Sequence, residues 1–161
     1  MDADDVVVKV ADFRVGCAGD VLVTYGLGSC VAVVLHDPKI QVGGLAHILL
    51  PTPSLARRGA NLRKFPQTAI PAMLEEMAEL GASPRRITAR LIGGASMFAM
   101  LASGAIQMGE RNIISTQKTL GAHRIPIVGE AVGGDFGRTV RLHVDSGVVE
   151  VSSVRTGVER I

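Results

Sequence analysis

The sequence predicts an α+β fold: mixed, mostly antiparallel β-sheets, sandwich-like, flanked by helices, in a single domain over residues 1–161. Short β-branched runs recur along the chain, about seven of them. Only two stretches carry helical periodicity. The two kinds of element do not alternate regularly, as a doubly wound parallel sheet would require. A chain of 161 residues suits one domain with a real core. Apolar residues make up 47% and aromatic residues only 3%, so that core is built of Val, Ile, Leu, Ala and Met.

Taken in order, residues 5–15 read as a first strand, partly alternating, and residues 15–20 as a loop. Residues 21–24 are apolar and β-branched. Gly26 and Gly28 interrupt them and permit backbone angles that other residues avoid. Cys30 opens the next run, Val31 to Leu35. Asp37, Pro38 and Lys39 are a turn signal, because proline presets the second position of a type I turn. The chain returns through Val42 and Leu45 to His47, and Pro51 ends that strand. Residues 52–64 (TPSLARRGANLRK) are polar and irregular and follow the histidine strand directly. They read as a mobile segment over it.

Residues 65–80 are the clearest helix. Ile70, Met73, Leu74 and Met77 share one face, and Gly81 stands where a C-terminal cap belongs. Pro71 either begins this helix or kinks it. Its methionines are expected in the core rather than on a partner surface. Residues 86–92 (RITARLI) read as a strand. The glycine-rich loop after it, Gly93 to Phe98, lacks the lysine and spacing of a phosphate loop. Residues 109–120 form a second, weaker helix that stops at Gly121. Residues 125–132, 139–144 and 148–154 read as strands, the last two joined by Asp145, Ser146 and Gly147.

Composition narrows the function. No apolar run approaches the roughly 18 residues that suggest a membrane span. The N-terminus, MDADDVVVKV, is acidic and carries no signal-peptide pattern, so a soluble, cytoplasmic chain without membrane insertion is expected. Net charge is +2, and Arg57, Arg58, Arg63 and Lys64 form the only basic cluster. With one tyrosine and four phenylalanines there is little to stack on bases, and no nucleic-acid partner is expected. Cys17 and Cys30 cannot build a disulfide framework or a four-cysteine zinc site. His36, His47, His123 and His143 show no tight metal spacing, so neither metal nor cofactor is expected. A reducing cytosol leaves Cys30 free to act as a thiolate, with Cys17 a spectator.

A register argument makes the Cys30–His47 stretch chemical. With Pro38 and Lys39 as the turn centre, Asp37 faces Ile40 and Cys30 faces His47. Such directly opposed pairs have Cβ atoms about 4.5–5.5 Å apart, close enough to share a proton. Proline is awkward there, since two-residue hairpins prefer positive φ. A longer loop would shift the pairing, and a shift of one would send the two side chains to opposite faces. A free thiol is only a few per cent ionised at neutral pH, so an imidazole beside it makes a usable nucleophile. On residue types alone, a strand cysteine is more often a small core residue, and a lone histidine a satisfied core one.

These residues resemble the chemoreceptor glutamine deamidase family of bacterial chemotaxis (CheD). The likeness lies in VTYGLGSC, LHDP and GGLAHILLP, then LIGGASMF at 91–98, MGERN at 108–112 and GGDFGR at 133–138. The pieces come in family order over roughly residues 5–155. The resemblance implies a catalytic cysteine, histidine and threonine at Cys30, His47 and Thr24. It implies hydrolysis of glutamine side-chain amides to glutamate on methyl-accepting chemoreceptors, through a cysteine thioester, with release of ammonia. It implies the receptors' cytoplasmic helices as protein substrate and a chemotaxis phosphatase of the CheC type as a regulatory partner. A threonine hydroxyl can accept the imidazole N–H and orient the ring without the charge of an aspartate. The backbone N–H of Ser29 or Cys30 is a candidate oxyanion donor, and Gly26 and Gly28 would let a substrate chain approach. Phe98, Gly93 and Gly94 are candidate substrate or partner contacts. The alternative reading is an adaptor that regulates a CheC-type phosphatase with little or no turnover. A thiol redox role is disfavoured, because no CxxC is present.

Overall fold

The computed structural model describes residues 5–55, 59, 61–96 and 108–161. Among them are ten strands and two α-helices. In chain order these are β1 (Asp5–Val7), β2 (Phe13–Cys17), β3 (Val21–Leu27), β4 (Val31–Asp37), β5 (Val42–Ile48), α1 (Pro66–Glu79), β6 (Thr88–Gly93), α2 (Met108–Ala122), β7 (Ile127–Val132), β8 (Arg138–His143), β9 (Val148–Ser153) and β10 (Gly157–Arg160). The strands form two five-stranded sheets, ordered β1-β3-β8-β9-β10 and β2-β5-β4-β6-β7. Two pairings are parallel, β1 with β3 and β6 with β7; the others are antiparallel. This is the helix-flanked sandwich of mixed sheets that the sequence predicts.

The alternation of side chains explains the layers. On β4, Val31, Val33 and Leu35 point to one face and pack with Ile70, Met73, Met77 and Leu120 of the helices. Ala32 and Val34 point to the other and meet Leu22, Val140, Leu142 and Val149 of the first sheet. The second sheet is therefore a middle layer, and every residue of β4 and β5 is buried. A strand covered on both faces needs a continuous apolar run, as Val31 to Leu35 supplies. Each valine or leucine of that run contributes about 1.5–3 kcal/mol on burial.

Helix α1 carries Pro66 in its first turn and continues through Pro71. Gly81, at φ 98°, caps it: Gly81 N–H donates to the Ala78 carbonyl and Ala82 N–H to that of Met77. Met73 and Met77 are fully buried core residues. A Cβ at Gly44 would come within 2.7 Å of Met73 Sδ, so the strand leading to His47 must present a glycine for α1 to seat.

Several boundaries differ from the sequence reading. Residues 5–15 are two strands in different sheets, because the chain crosses between layers at 8–12, with Ala11 at φ 62°. β2 runs on to Cys17, and β3 runs past Gly26 to Leu27 with an irregularity between Thr24 and Leu27. The segment 52–64 contains two short 3-10 turns, Pro53–Leu55 and Leu62–Lys64. The carbonyl of Lys64 ties it back to the N–H groups of Leu49 and Leu50. Arg57, Arg58, Met97 and Phe98 lie outside the described residues. β10 was not anticipated; its four residues are all exposed.

The hairpin register also needs correction. Asp37 pairs with Val42 rather than Ile40, and His47 faces Ala32 rather than Cys30. Pro38 cannot take the positive φ that a two-residue turn demands. The loop is instead four residues long, and Gln41 takes the left-handed conformation at φ 53°. Asp37 Oδ1 accepts the Lys39 N–H at 3.0 Å and starts the turn. The pairing slips by two residues relative to the two-residue turn, so the faces are kept.

Candidate active site

Thr24 and His47 meet between the two sheets, and Cys30 lies on the same inter-sheet face. Thr24 stands on β3 of the first sheet, His47 on β5 of the second, and Cys30 on the residue before β4. Cys30 shares the inter-sheet face with Ala32, the residue directly across from His47. Cys30 and His47 are thus a diagonal pair, a spacing of about 7–8 Å in a regular ladder. No hydrogen bond joins them. Thr24 and His47 are fully buried, and Cys30 is 9% exposed.

The hydrogen bonds fix the histidine tautomer. Thr24 Oγ1 donates its only hydrogen to the Val8 carbonyl, at 2.7 Å. The same oxygen lies 2.7 Å from His47 Nδ1. A hydroxyl has one hydrogen, so Thr24 must accept here and Nδ1 must carry the proton. Nε2 then bears the lone pair, and it is buried with no hydrogen-bond partner among the described residues. The backbone is held as firmly: His47 N–H donates to the Asp12 carbonyl at 2.9 Å, and the His47 carbonyl accepts from Ala11 N–H at 3.0 Å. The crossing segment 8–12 therefore positions both Thr24 and His47.

Burial holds both reactive groups neutral. It pushes the Cys30 thiol up and the His47 imidazole down to about 4. Near pH 7 the site therefore rests as thiol and imidazole rather than as an ion pair.

Three consecutive carbonyls of the turn before β4 are engaged. Gly28 O accepts from Ala95 N–H and Cys30 O from Gly94 N–H, both at 2.8 Å. Ser29 O accepts from Asn112 Nδ2 at 2.9 Å. A Cβ at Gly93 would sit 2.4 Å from the Cys30 carbonyl oxygen, so only glycine allows β6 to pass this close. The Gly93 to Ser96 stretch is held in turn by Gly133 N–H to Gly93 O and Ser96 N–H to Gly134 O, each at 2.9 Å. The glycine motifs at 93–94 and 133–134 thus brace the cysteine turn. Among the described residues, no carbonyl takes the N–H of Ser29 or Cys30. Gly26, at φ 69°, lines an open groove of about 790 Å³ with Phe136, Arg138, Val154 and Val158. Gly28 lies in the turn itself, and Phe98 is outside the described residues.

Two contributors escaped the sequence reading. One is the Val8 carbonyl, which any residue type could supply. The other is Asn112, within the MGERN motif: a buried, poor helix former early in α2 is the signal that could have found it. Among the described residues no cluster of three or more His, Cys, Asp or Glu suited to a metal occurs. No described helix is long and apolar enough to cross a membrane.

Residues 49–153 match the family model described as CheD chemotactic sensory transduction. That match begins after His47, but full-length relatives cover the rest. The chain is 41% identical over 155 residues to the Probable chemoreceptor glutamine deamidase CheD of Caldanaerobacter subterraneus subsp. tengcongensis, with 96% of both chains covered. It is 40% identical over 162 residues to the protein of the same name from Clostridium novyi, covering both completely. An archaeal counterpart from Thermococcus kodakarensis is 37% identical over 95% of each chain.

Proposed function

This chain belongs to the CheD family, and on that premise we propose that it is a chemoreceptor glutamine deamidase whose chemistry is carried by Cys30, His47 and Thr24. The observation that carries the residue assignment is the state of His47. Its Nδ1 is bonded to Thr24, and its buried Nε2 has no partner among the described residues.

The steps follow from that state. His47 Nε2 takes the Cys30 thiol proton as Sγ attacks the carboxamide carbon of a glutamine side chain. The amide oxygen becomes an oxyanion, for which the N–H groups of Ser29 and Cys30 are the donors at hand. The Nε2 proton passes to the amide nitrogen, the C–N bond breaks and ammonia leaves, because amide ion is a hopeless leaving group. A thioester remains. Water, losing a proton to Nε2, cleaves it to glutamate and restores the thiol. Thr24 keeps the ring in the tautomer that all these transfers need. The diagonal separation of Cys30 and His47 suits a resting site, since catalytic contacts often tighten only with substrate bound.

The family resemblance supports receptor cytoplasmic helices as the substrate, the cytoplasm as the location and a CheC-type phosphatase as a regulatory partner. The test is incubation with a receptor cytoplasmic fragment. Peptide mass measurement should show the shift of about one dalton for Gln to Glu, with ammonia released in step, and neither with Cys30→Ala. A fragment left unchanged by the wild-type protein would overturn the reading.

A further inference from the structure

Asn112 is fully buried in the second turn of α2, where asparagine is a poor helix former. Burying a carboxamide is unfavourable unless it is hydrogen-bonded. Both Nδ2 hydrogens are used: one goes to the Ser29 carbonyl at 2.9 Å, the other to the Leu49 carbonyl at 3.2 Å. Ser29 directly precedes Cys30, and Leu49 comes two residues after His47. Among the described residues, no other donor reaches either carbonyl, and no other side chain is hydrogen-bonded to both segments. Asn112 Oδ1 has no partner among the described residues, so there the donors alone fix the amide.

We propose that Asn112 is a positioning residue for this reaction, clamping the turn that carries Cys30 to the strand that carries His47. The proposal rests on the catalytic reading above. Cys30 lies one residue outside the β4–β5 ladder, which ends at the Val31–Ile48 pair. The ladder therefore places His47 but does not by itself place the sulfur. The carboxamide fills that gap, because it spans the two chains just past the last paired residues. Its neighbour one turn on, Ser115, ties α2 to the Pro51 carbonyl at 2.5 Å but does not reach the cysteine turn.

The experiment compares full-length Asn112→Asp, Asn112→Ala and Ser115→Ala. Asn112→Asp keeps the volume and replaces the donor with an oxygen facing two carbonyls. Three quantities are read: kcat and KM for ammonia release from a receptor fragment, the pH profile of Cys30 alkylation by iodoacetamide, and Tm. A displacement of about 1 Å can lower turnover about a hundredfold, and that loss in kcat is expected for both Asn112 variants, with KM within about twofold. Their alkylation should be slower than wild type near neutral pH and converge with it at alkaline pH, where the thiolate forms without the imidazole. Ser115→Ala should lose Tm alone. Asn112 variants that match Ser115→Ala in kcat and wild type in alkylation profile would overturn the proposal. So would failure of both to fold, which would assign Asn112 to the fold. If the wild-type protein releases no ammonia, the catalytic reading fails, and the alkylation profiles decide the role of Asn112 on their own.

Discussion

Thr24 Oγ1 and His47 Nδ1 lie 2.7 Å apart across the two sheets, and the threonine hydrogen is already committed to the Val8 carbonyl. The direction of the first bond is therefore imposed by the second. A β-branched strand residue would suffice for packing, but valine at this position would leave the Val8 carbonyl and the His47 Nδ1–H unpaired. Thr24→Val should lower kcat by about two to four orders of magnitude, the scale of a misassigned base, while Cys30 remains alkylatable. Thr24→Ser retains the hydroxyl and should stay within about threefold of wild type. Steady-state ammonia release checks both. Wild-type turnover in Thr24→Val would remove threonine from the mechanism.

The two cysteines differ in setting, Cys30 buried beneath its turn and Cys17 exposed on β2. Cys30→Ala should abolish ammonia release and change stability by about 1 kcal/mol or less, since only one sulfur's packing is lost. Cys17→Ser should keep full activity. Equal losses from both substitutions would point to a linked pair of thiols instead.

The legible part of this fold is where residue type and position agree. Val31 to Leu35, the Asp37-Pro38 turn and the helix face ending at Gly81 each follow a local rule, and each is where it was expected. The register did not follow, because it depends on loop length. Pro38 excludes the short turn, and nothing local announces that Gln41 will take φ 53°. The division of residues 5–15 was hidden for a similar reason. The valines on either side are alike, and the crossing is set by backbone bonds to Val23 and His47. In the candidate site, Cys30 and His47 were legible from the hairpin pairing and, together with Thr24, from the motif resemblance. Their supports, the Val8 carbonyl and Asn112, come from segments distant in sequence.

Acidification should destabilise the protein through His47. Its ordinary value near 6.5 falls to about 4 in the folded state, so between those values the unfolded chain holds a proton that the native one does not. Where the unfolded state binds more protons, stability rises with pH. It should therefore fall as pH drops from about 6.5 to 4, by up to about 3 kcal/mol for this one group. Urea unfolding at a series of pH values, compared with His47→Gln, isolates the effect. Identical slopes in the two proteins would refute it.

Asp37 anchors the loop that sets the register. Burial alone would raise its carboxyl, but Arg86 and the N–H groups of Ser83 and Lys39 hold it below the usual range. Arg86 Nη2 lies 2.9 Å away, one third exposed, while the carboxylate is fully buried. Asp37→Ala strands those donors and should reduce stability by roughly 2 kcal/mol, read as a lower urea midpoint. Because the ladder from Val31 to Asp37 persists, Cys30 alkylation in the folded variant should match wild type. A changed alkylation rate would mean that the loop acts on the cysteine at the far end of the strand.

Free glutamine should be a far poorer substrate than a receptor segment. A free amino acid presents an ammonium and a carboxylate, and a dedicated site would offer a charge for each. The side chains hydrogen-bonded to the cysteine turn and to the His47 ring are Asn112 and Thr24, both uncharged, and the histidine is held neutral. Arg138, which pairs across from Leu27, donates to the Gly133 carbonyl at 2.8 Å and stacks on Phe136. Orientation must then come from contacts remote from the amide, which a polypeptide can make and a free amino acid cannot. Discrimination of at least about a hundredfold in kcat/KM follows, since remote binding energy is what would align the carboxamide with Cys30. The comparison is ammonia release from glutamine, a short glutamine peptide and an intact receptor fragment at matched glutamine concentration. The peptide should fall between the other two. Equal specificity constants for glutamine and the fragment would make the protein a small-molecule amidase.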